Sequence, residues 1–548
     1  MEAPNQGGYE LDVADDGTES TLRRWFRLTR SRNFILSPFL RMPPELILKI
    51  FAHVIESDSD DDDFWEDGED DWFPHTGLDD RHYVIPPLLH LTAICHQLRE
   101  IGTASPQLWS SVDFTVLPIA ELFLERCKYN PRILLAKNSE PRRSRADYDP
   151  RREAVWVKLE GRTFDNLRSL VFRGTEDEFA LRVVGVLKSA PNISLLDIYN
   201  SSFNPGEELP LPPIGDPIPS LSTLRIRGFW TNWTSPLLRN LSQLCLDFEP
   251  PLVPSEHTSI EAFLTALANC PDLEIIDLIH AGPEPLNGHR DRCDVVVQLR
   301  RLRKCSLEFY EPSTVGSILS HIKYPESTKL AVHLPGDEDI DLSETISRAL
   351  PRRNVQSIQH FRKSTTLTIC FFDGLRFYTD NVLFRFQELN MGLGPQRNPL
   401  AWTQFASKIV EAVGGDAIAT LNIESWKMDL PDGMWEALLH GLPRLERISC
   451  DLTGGEDGDP VNPFISVFSR PFEGGLVCPR LQYLGLTEEL LTQDASVAAL
   501  KRALTERDAC GRRLKQIGLC GRTAKAGDML VLEQFRDLVD EVQSDYKR

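Results

Sequence analysis

Leu221-Ser-Thr-Leu-Arg-Ile226, Leu241-Ser-Gln-Leu-Cys-Leu246 and Leu273-Glu-Ile-Ile-Asp-Leu278 are copies of one pattern, with apolar residues at its first, fourth and sixth places. Outward from these, Leu167-Arg-Ser-Leu-Val-Phe172 and Ile193-Ser-Leu-Leu-Asp-Ile198 precede them, and Leu302–Leu307, Ile418–Ile423, Leu445–Cys450, Leu481–Leu486 and Leu514–Leu519 follow. Several copies are entered through a small or apolar residue and proline: Ala190-Pro191, Cys270-Pro271, Leu442-Pro443 and Cys478-Pro479. Helix-like stretches lie between them, at Phe179–Ser189, Ile260–Ala268 and Trp435–Leu442. A strand followed by a helix therefore recurs roughly every 20 to 36 residues where the copies are clear.

The spacing has a direct physical consequence. The first two apolar positions lead into a short strand and the third points inward from it, so stacked units share one core and one parallel sheet. This is the signature of a leucine-rich-repeat solenoid, an α/β fold with parallel strands and helices on the convex side. The residues between the last two apolar positions then face outward on the concave side: Val171, Asp197, Arg225, Cys245, Asp277, Ser306, Asn422, Ser449, Gly485 and Gly518. Of these, Asp197, Arg225, Asp277, Ser306 and Asn422 are the candidate substrate-binding positions. The copies at Ser327–Val332 and Ser364–Ile369 are degenerate, so Lys323–Ala417 reads as an insertion or a distorted set of coils. An α/β enzyme with a parallel sheet is the alternative, and it predicts fewer and less uniform copies.

A different pattern occupies the N-terminal part. Pro43 and Pro44 suit a helix start, where a missing N–H costs nothing, and Glu45 suits the helix dipole. Leu46, Ile47, Ile50, Phe51 and Val54 form one apolar stripe, with Glu45, Lys49 and His53 on the other side. Leu88, Leu91, Ile94, Cys95 and Leu98 predict a second helix, and Leu108 and Trp109 read as a short turn that plugs the helix pair. Three small helices bury little surface alone, so part of this apolar face is expected to meet a partner. The plain alternative is an ordinary helical subdomain packed on the rest of the chain.

The run Pro43-Pro-Glu-Leu-Ile-Leu-Lys-Ile-Phe51, followed by Leu91-Thr-Ala-Ile-Cys-His-Gln-Leu-Arg-Glu-Ile101 and Pro106-Gln-Leu-Trp-Ser-Ser-Val112, resembles an F-box. Leu98 stands where that family usually places an aromatic, and residues 56–86 separate the first two helices, where the family has a few residues. Such a surface insertion is compatible with the fold, because each doubling of loop length costs only about 0.6 kcal/mol in closure entropy. Together with the repeats, the chain resembles F-box proteins with C-terminal leucine-rich repeats, and Pro106–Val112 looks particularly like fungal members. The resemblance implies a substrate-recognition subunit of a Skp-cullin-F-box ubiquitin ligase. Pro43, Leu46, Ile50, Phe51, Leu91, Ile94, Leu98, Leu108 and Trp109 would then dock a Skp-type adaptor, and through it a cullin, while the repeats hold a protein substrate. The alternative is a leucine-rich-repeat interaction scaffold with a degenerate F-box and no ligase role. The two differ in whether Pro43, Leu46, Ile50, Leu91, Ile94 and Trp109 form an exposed apolar patch.

Charge is unevenly spread. Between Glu56 and Asp71 there are eleven acidic residues and no Lys or Arg, about half of the formal net charge of −21. Runs of like charge are usually solvated. Trp65, Trp72 and Phe73 among the acids are a minor signal for docking to a basic partner. Asp58, Asp60, Asp62 and Glu69 partly match a calcium loop, but Asp63 stands where the sharp turn needs glycine. Ser57 and Ser59 each have an acid three residues on, a spacing suited to acidophilic kinases. Residues 140–153, with Arg142, Arg143, Arg145, Arg151 and Arg152, read as a basic loop. A pI near 5.1 gives no electrostatic reason to expect nucleic-acid binding.

The resulting map places a tail at 1–39, the F-box at 40–113 with its insertion at 56–86, the repeats at 114–525, and a C-terminal helix or cap at 526–548. Ala120–Arg126 and Pro131–Leu135 read as the helix and strand of a first repeat unit. The 11 cysteines include no Cys-x-x-Cys pair and read as buried apolar residues in a reducing compartment. No secretory signal and no membrane span is legible, so the expected location is cytoplasmic, nuclear or both. Gly-x-Ser-x-Gly, P-loop and His-Glu-x-x-His motifs are missing, and proline interrupts Met391-Gly-Leu-Gly-Pro395. Gly454-Gly-Glu-Asp-Gly-Asp459 reads as a turn. The sequence thus predicts a binding protein, with no catalytic residues, metal or cofactor.

Overall fold

The computed structural model describes residues 38–57, 86–137, 161–174, 185–200, 217–248, 259–283, 294–335, 341–351, 362–371, 375–387, 399–426, 430–453, 462–470, 476–487, 494–520 and 532–544, with a few isolated positions besides. Most of the 1–39 tail, the acidic insertion from 58 to 85, the basic loop at 140–153, Met391–Pro395, Gly454–Asp459 and 526–531 lie outside them. The chain divides into two compact units, Met1–Val171 and Phe172–Arg548.

The first unit opens with helix α1 (Pro44–Ser57), started by proline and an acidic first turn. The single second helix expected through Leu98 is instead two, α2 (Pro87–Ile94) and α3 (His96–Thr103), separated by Cys95 in an extended conformation at φ −154° and ψ 165°. Side chains satisfy carbonyls near the C-terminal ends of both helices. The Thr92 carbonyl accepts from Arg99 Nε at 3.1 Å, and the Gly102 carbonyl accepts from Trp109 Nε1 at 2.8 Å. Trp109 belongs to the 3₁₀ turn Pro106–Trp109 and packs edge-on against Phe123, with ring centroids 4.9 Å apart.

Gly102 lies where these helices meet. A Cβ there would come within 2.7 Å of Thr92 Cγ2 and 3.5 Å of Phe51 Cε2. Gly102→Val is therefore expected to destabilise the first unit by about 1–3 kcal/mol through overpacking. A denaturant midpoint equal to that of the unmodified chain would show that the helices can separate at no cost.

Strand β1 (Ser111–Asp113) follows the turn, then α4 (Leu117–Arg126), β2 (Ile133–Lys137) and the start of β3 (Ser169–Gly174). β1 and β2 are parallel, Ser111 opposite Ile133 and Val112 opposite Leu134, so β1-α4-β2 is a complete crossover unit. The first strand of the sheet thus lies inside the segment assigned by sequence to the F-box, whose end was set at 113.

In the second unit, β4 (Leu195–Asn200), β5 (Thr223–Arg227), β6 (Gln243–Asp247), β7 (Ile275–Ile279), β9 (Lys304–Glu308) and β11 (Lys329–Pro335) run parallel as successive neighbours. A separate parallel pair, β8 (Val297–Gln298) and β10 (Ile322–Lys323), lies outside this sheet. β12 (Thr366–Phe371), β13 (Leu375–Thr379) and β14 (Val382–Gln387) form an antiparallel meander, with β14 beside β11 and β12 beside β15 (Thr420–Trp426). Parallel order resumes through β16 (Arg447–Thr453), β17 (Tyr483–Leu486), β18 (Leu514–Leu519) and β19 (Val539–Ser544). The region 323–417 thus places an antiparallel meander between parallel strands while its strands keep the sheet continuous. The C-terminal segment contributes strand β19, paired with β18, where a helix or cap was expected.

Every copy of the hexapeptide pattern coincides with a strand, and the local reasons are visible. In the entry turns, Pro191, Pro271, Pro443 and Pro479 occupy the second position, where a fixed φ is favourable. The preceding carbonyl accepts from the residue three on, as in Leu273 to Cys270 at 3.2 Å and Leu481 to Cys478 at 3.1 Å. The serine in Leu-Ser-x-Leu adds a ladder between neighbouring units. Ser222 Oγ donates to the Ser194 carbonyl at 3.1 Å and Ser242 Oγ to the Ser222 carbonyl at 3.0 Å.

Helices α5 (Ile260–Ala268), α6 (Pro312–His321), α7 (Leu342–Ala349), α8 (Pro399–Val413), α9 (Asp432–Gly441), α10 (Pro463–Phe468) and α11 (Asp494–Ala509) connect strands or follow them. From α6 to α11 each packs against the next. The core lies between helices and sheet: Phe405 of α8 meets Phe377 and Phe386, and Trp402 meets Phe371. Phe377 and Phe384, opposite each other on β13 and β14, stack at 4.7 Å.

Candidate functional site

The nine residues expected to dock an adaptor separate into two groups. Ile47 and Phe51 form the buried edge of α1, while Leu46 and Ile50, one turn apart on the neighbouring edge, are 45% and 37% exposed. Pro43 is exposed, Leu91 is half-buried, and Ile94 at the end of α2 is 67% exposed. Phe51, Leu98, Leu108 and Trp109 are buried, so they hold the unit together and are not available as contact surface. The sequence stripe merged these groups because positions 46/50 and 47/51 are separated by only about 100° around a helix. Leu46, Ile50 and Ile94 are unusual on a solvated helix surface, and together they mark a candidate interaction face.

The second candidate lies on the sheet face turned away from the helices. Asp197, Arg225, Cys245, Asp277 and Ser306 stand directly opposite one another across β4 to β9. The same row passes through Ala331, Leu383, Tyr378 and Thr368 to Asn422, Ser449, Gly485 and Gly518. One register thus joins all five candidate substrate-binding residues. Their exposure differs from expectation: Asp197, Asp277 and Ser306 are buried, and Arg225 and Asn422 are half-buried.

Burial changes their chemistry. Desolvation raises the Asp277 carboxyl above its ordinary range, against the pull of the Ser306 hydrogen bond and of Lys304, Arg227 and Arg225. Burial, with Asp277 second, pushes the Cys245 thiol up to about 12, which leaves it protonated and unreactive. Lys304 is lowered, mainly by burial. Asn422 Nδ2 donates to Thr368 Oγ1 at 3.2 Å.

A second row, one step along the same face, was not picked out from sequence. It reads Tyr199, Arg227, Asp247, Ile279, Glu308, His333, Arg385, Arg376, Cys370, Glu424 and Asp451. The residue following the last apolar position of each clear copy was the available signal, as Arg227, Asp247, Glu308, Glu424 and Asp451 show. Cys370 Sγ donates to Glu424 Oε2 at 3.3 Å, and burial raises the Cys370 thiol further from reactivity. His333 is 2% exposed, and its ring is pushed down to about 3, first by burial and then by Arg385, Arg376 and Lys304.

That depression has a pH consequence. An imidazole that ionises near 6.5 in the unfolded chain and near 3 in the folded one binds fewer protons when folded. Its contribution to stability is full above the unfolded value and is lost as pH falls from about 6.5 towards 3. His280, pushed down to about 4 by burial, acts in the same direction. The melting temperature is expected to fall through this window, and less so in His333→Asn. An identical acid profile for the variant would show that His333 does not carry the effect.

All described cysteines are free thiols, and no group of three or more His, Cys, Asp or Glu side chains able to hold a metal occurs among the described residues. No described helix is long and apolar enough to cross a membrane. No family model matches the chain, and a search of curated proteins gives no match.

Proposed function

We propose that this protein is a non-enzymatic substrate-recognition subunit of a Skp-cullin-F-box ubiquitin ligase acting in the cytoplasm, the nucleus or both. The first unit docks a Skp-type adaptor, and through it a cullin. The repeats form a leucine-rich array that holds a protein substrate on the sheet face where Arg225 and Asn422 are half-buried, with Asp197, Asp277 and Ser306 buried in the same row. The observation that carries the reading is the exposure of Leu46, Ile50 and Ile94 on short helices whose sequence resembles an F-box. Exposed apolar side chains at one-turn spacing suit a partner helix or groove, and a handful of such anchors usually dominates binding. The half-buried polar face of the sheet supplies the second surface that an adaptor subunit needs.

Affinity purification of the tagged full-length chain from cells, followed by mass spectrometry, tests the reading. The adaptor and a cullin are expected to co-purify with the unmodified chain and to be lost from Leu46→Asp/Ile50→Asp, with substrate retained in both. Recovery of partners without adaptor or cullin from the unmodified chain would favour the scaffold alternative.

A further inference from the structure

In the first unit, the edge where α4 ends and β2 and β3 begin is basic. Arg126, Lys128, Arg132, Arg162 and Arg168 are all exposed there, with Glu125 and Asp165 the exposed acids among them. The backbone draws these residues together. The turn after α4 is left-handed at Lys128 (φ 57°) and Tyr129 (φ 55°) and returns the chain to Arg132, whose carbonyl accepts from the Arg168 N–H at 2.8 Å. Arg162 lies over the Tyr129 ring at 4.2 Å, and Arg126 over the Trp109 ring at 5.9 Å. Arg162 and Arg168 have further partners of their own, whereas no carboxylate among the described residues pairs with Arg126, Lys128 or Arg132. From Glu125 to Arg168 the sequence holds 12 Lys and Arg against 7 Asp and Glu, in a chain whose net charge is −21.

We propose that this edge, through Arg126, Lys128 and Arg132, is the docking surface for the chain's own acidic segment at residues 58–71. That segment holds ten Asp and Glu and no Lys or Arg, so its charge complements the edge. It is also tethered close by. Gly102 lies against Phe51 of α1 and accepts from Trp109, whose ring carries Arg126, so these contacts run without a gap from α1 to the basic edge. Ser57, where α1 ends, is six residues past Phe51, about 9 Å along the helix. An extended chain covers about 3.3–3.6 Å per residue, so residues 58–71 can span up to about 50 Å, enough to reach the edge. Exposed ion pairs are individually weak, and tethering decides which acid occupies the edge. A linked segment acts at an effective concentration on the order of millimolar, which a free acidic partner must exceed to displace it. A nucleic acid would be repelled by the same ten carboxylates.

The test uses the full-length chain. Treatment with a zero-length carbodiimide cross-linker at low salt, followed by mass spectrometry, should join Lys128 to a carboxylate of residues 58–71. The link should be lost at about 1 M salt, where the Debye length is about 3 Å. A fluorescein-labelled peptide of sequence 57–73 is the second probe. It should bind roughly tenfold or more tightly to a variant with every Asp and Glu of residues 58–71 changed to Asn or Gln than to the unmodified chain, because the tethered segment no longer competes. Adding Lys128→Glu/Arg132→Glu, both at exposed positions, should remove peptide binding from that variant and leave its circular dichroism intact. Absence of the Lys128 link, or equal peptide affinity with and without the native acids, would overturn the assignment to the chain's own segment. Peptide binding that survives Lys128→Glu/Arg132→Glu, or no binding to the neutralised variant, would overturn the edge as the docking surface. Adaptor co-purification reads none of these contacts, so the two proposals fail separately.

Discussion

Replacing Leu224 by Asp is expected to unfold the repeat units around it, whereas replacing Arg225, the adjacent residue, by Gln is expected to leave them folded. Leu224 is fully buried in a continuous line from Leu196 through Leu244 to Ile276. Deleting a buried leucine side chain costs about 2–5 kcal/mol, and an unpaired carboxylate in the same place adds to that. The sum approaches the whole stability of a typical domain, about 5–15 kcal/mol. Because each unit is supported mainly by its neighbours, the damage should spread to the adjoining strands and be read as new protease-sensitive sites there. Arg225 lies on the opposite face between Asp197 and Cys245, so its loss alters a half-buried polar row without opening the core. Equal protease resistance for the two variants would mean that the register is wrong.

The second large effect is expected at Trp109. It is buried, donates to the Gly102 carbonyl at 2.8 Å, and packs on Phe123 of α4, so one side chain joins the end of α3 to the crossover unit. Trp109→Ala should cost about 3–5 kcal/mol and abolish adaptor capture indirectly, by loosening the helices. Leu46→Ala/Ile50→Ala should weaken capture directly, with the helical circular dichroism intact. A Trp109→Ala variant that is fully folded and still captures adaptor would contradict the assignment of this residue to the interior.

Much of the second unit was legible because its signal is local. A strand that buries one face must repeat its apolar residues at fixed steps, and in the ten quoted copies these steps survive as leucine or isoleucine except at Phe172, Cys305 and Cys450. The meander was illegible for the same reason. In Leu375-Arg-Phe-Tyr-Thr379 and Val382-Leu-Phe-Arg-Phe386 the core is made by alternating phenylalanines, a period of two that a search for Leu-x-x-Leu-x-Leu passes over. The two-residue link Asp380-Asn381 between them permits only antiparallel pairing. The break between α2 and α3 has no proline or glycine to announce it, and the Thr92 carbonyl at the end of α2 is met there by Arg99. Burial of Asp277 and Ser306 is a tertiary property with no local signal. Sequence therefore placed these residues on the correct face but misjudged their solvation.

The most direct measurement of the central claim is a calorimetric titration of the full-length chain with a purified Skp-type adaptor. The expected result is a one-to-one complex whose affinity falls by about 2 kcal/mol, roughly thirtyfold, in Leu46→Ala/Ile50→Ala, while Lys49→Ala on the same helix stays near the unmodified value. Absence of binding by the unmodified, folded chain, or equal affinity for all three proteins, would contradict it.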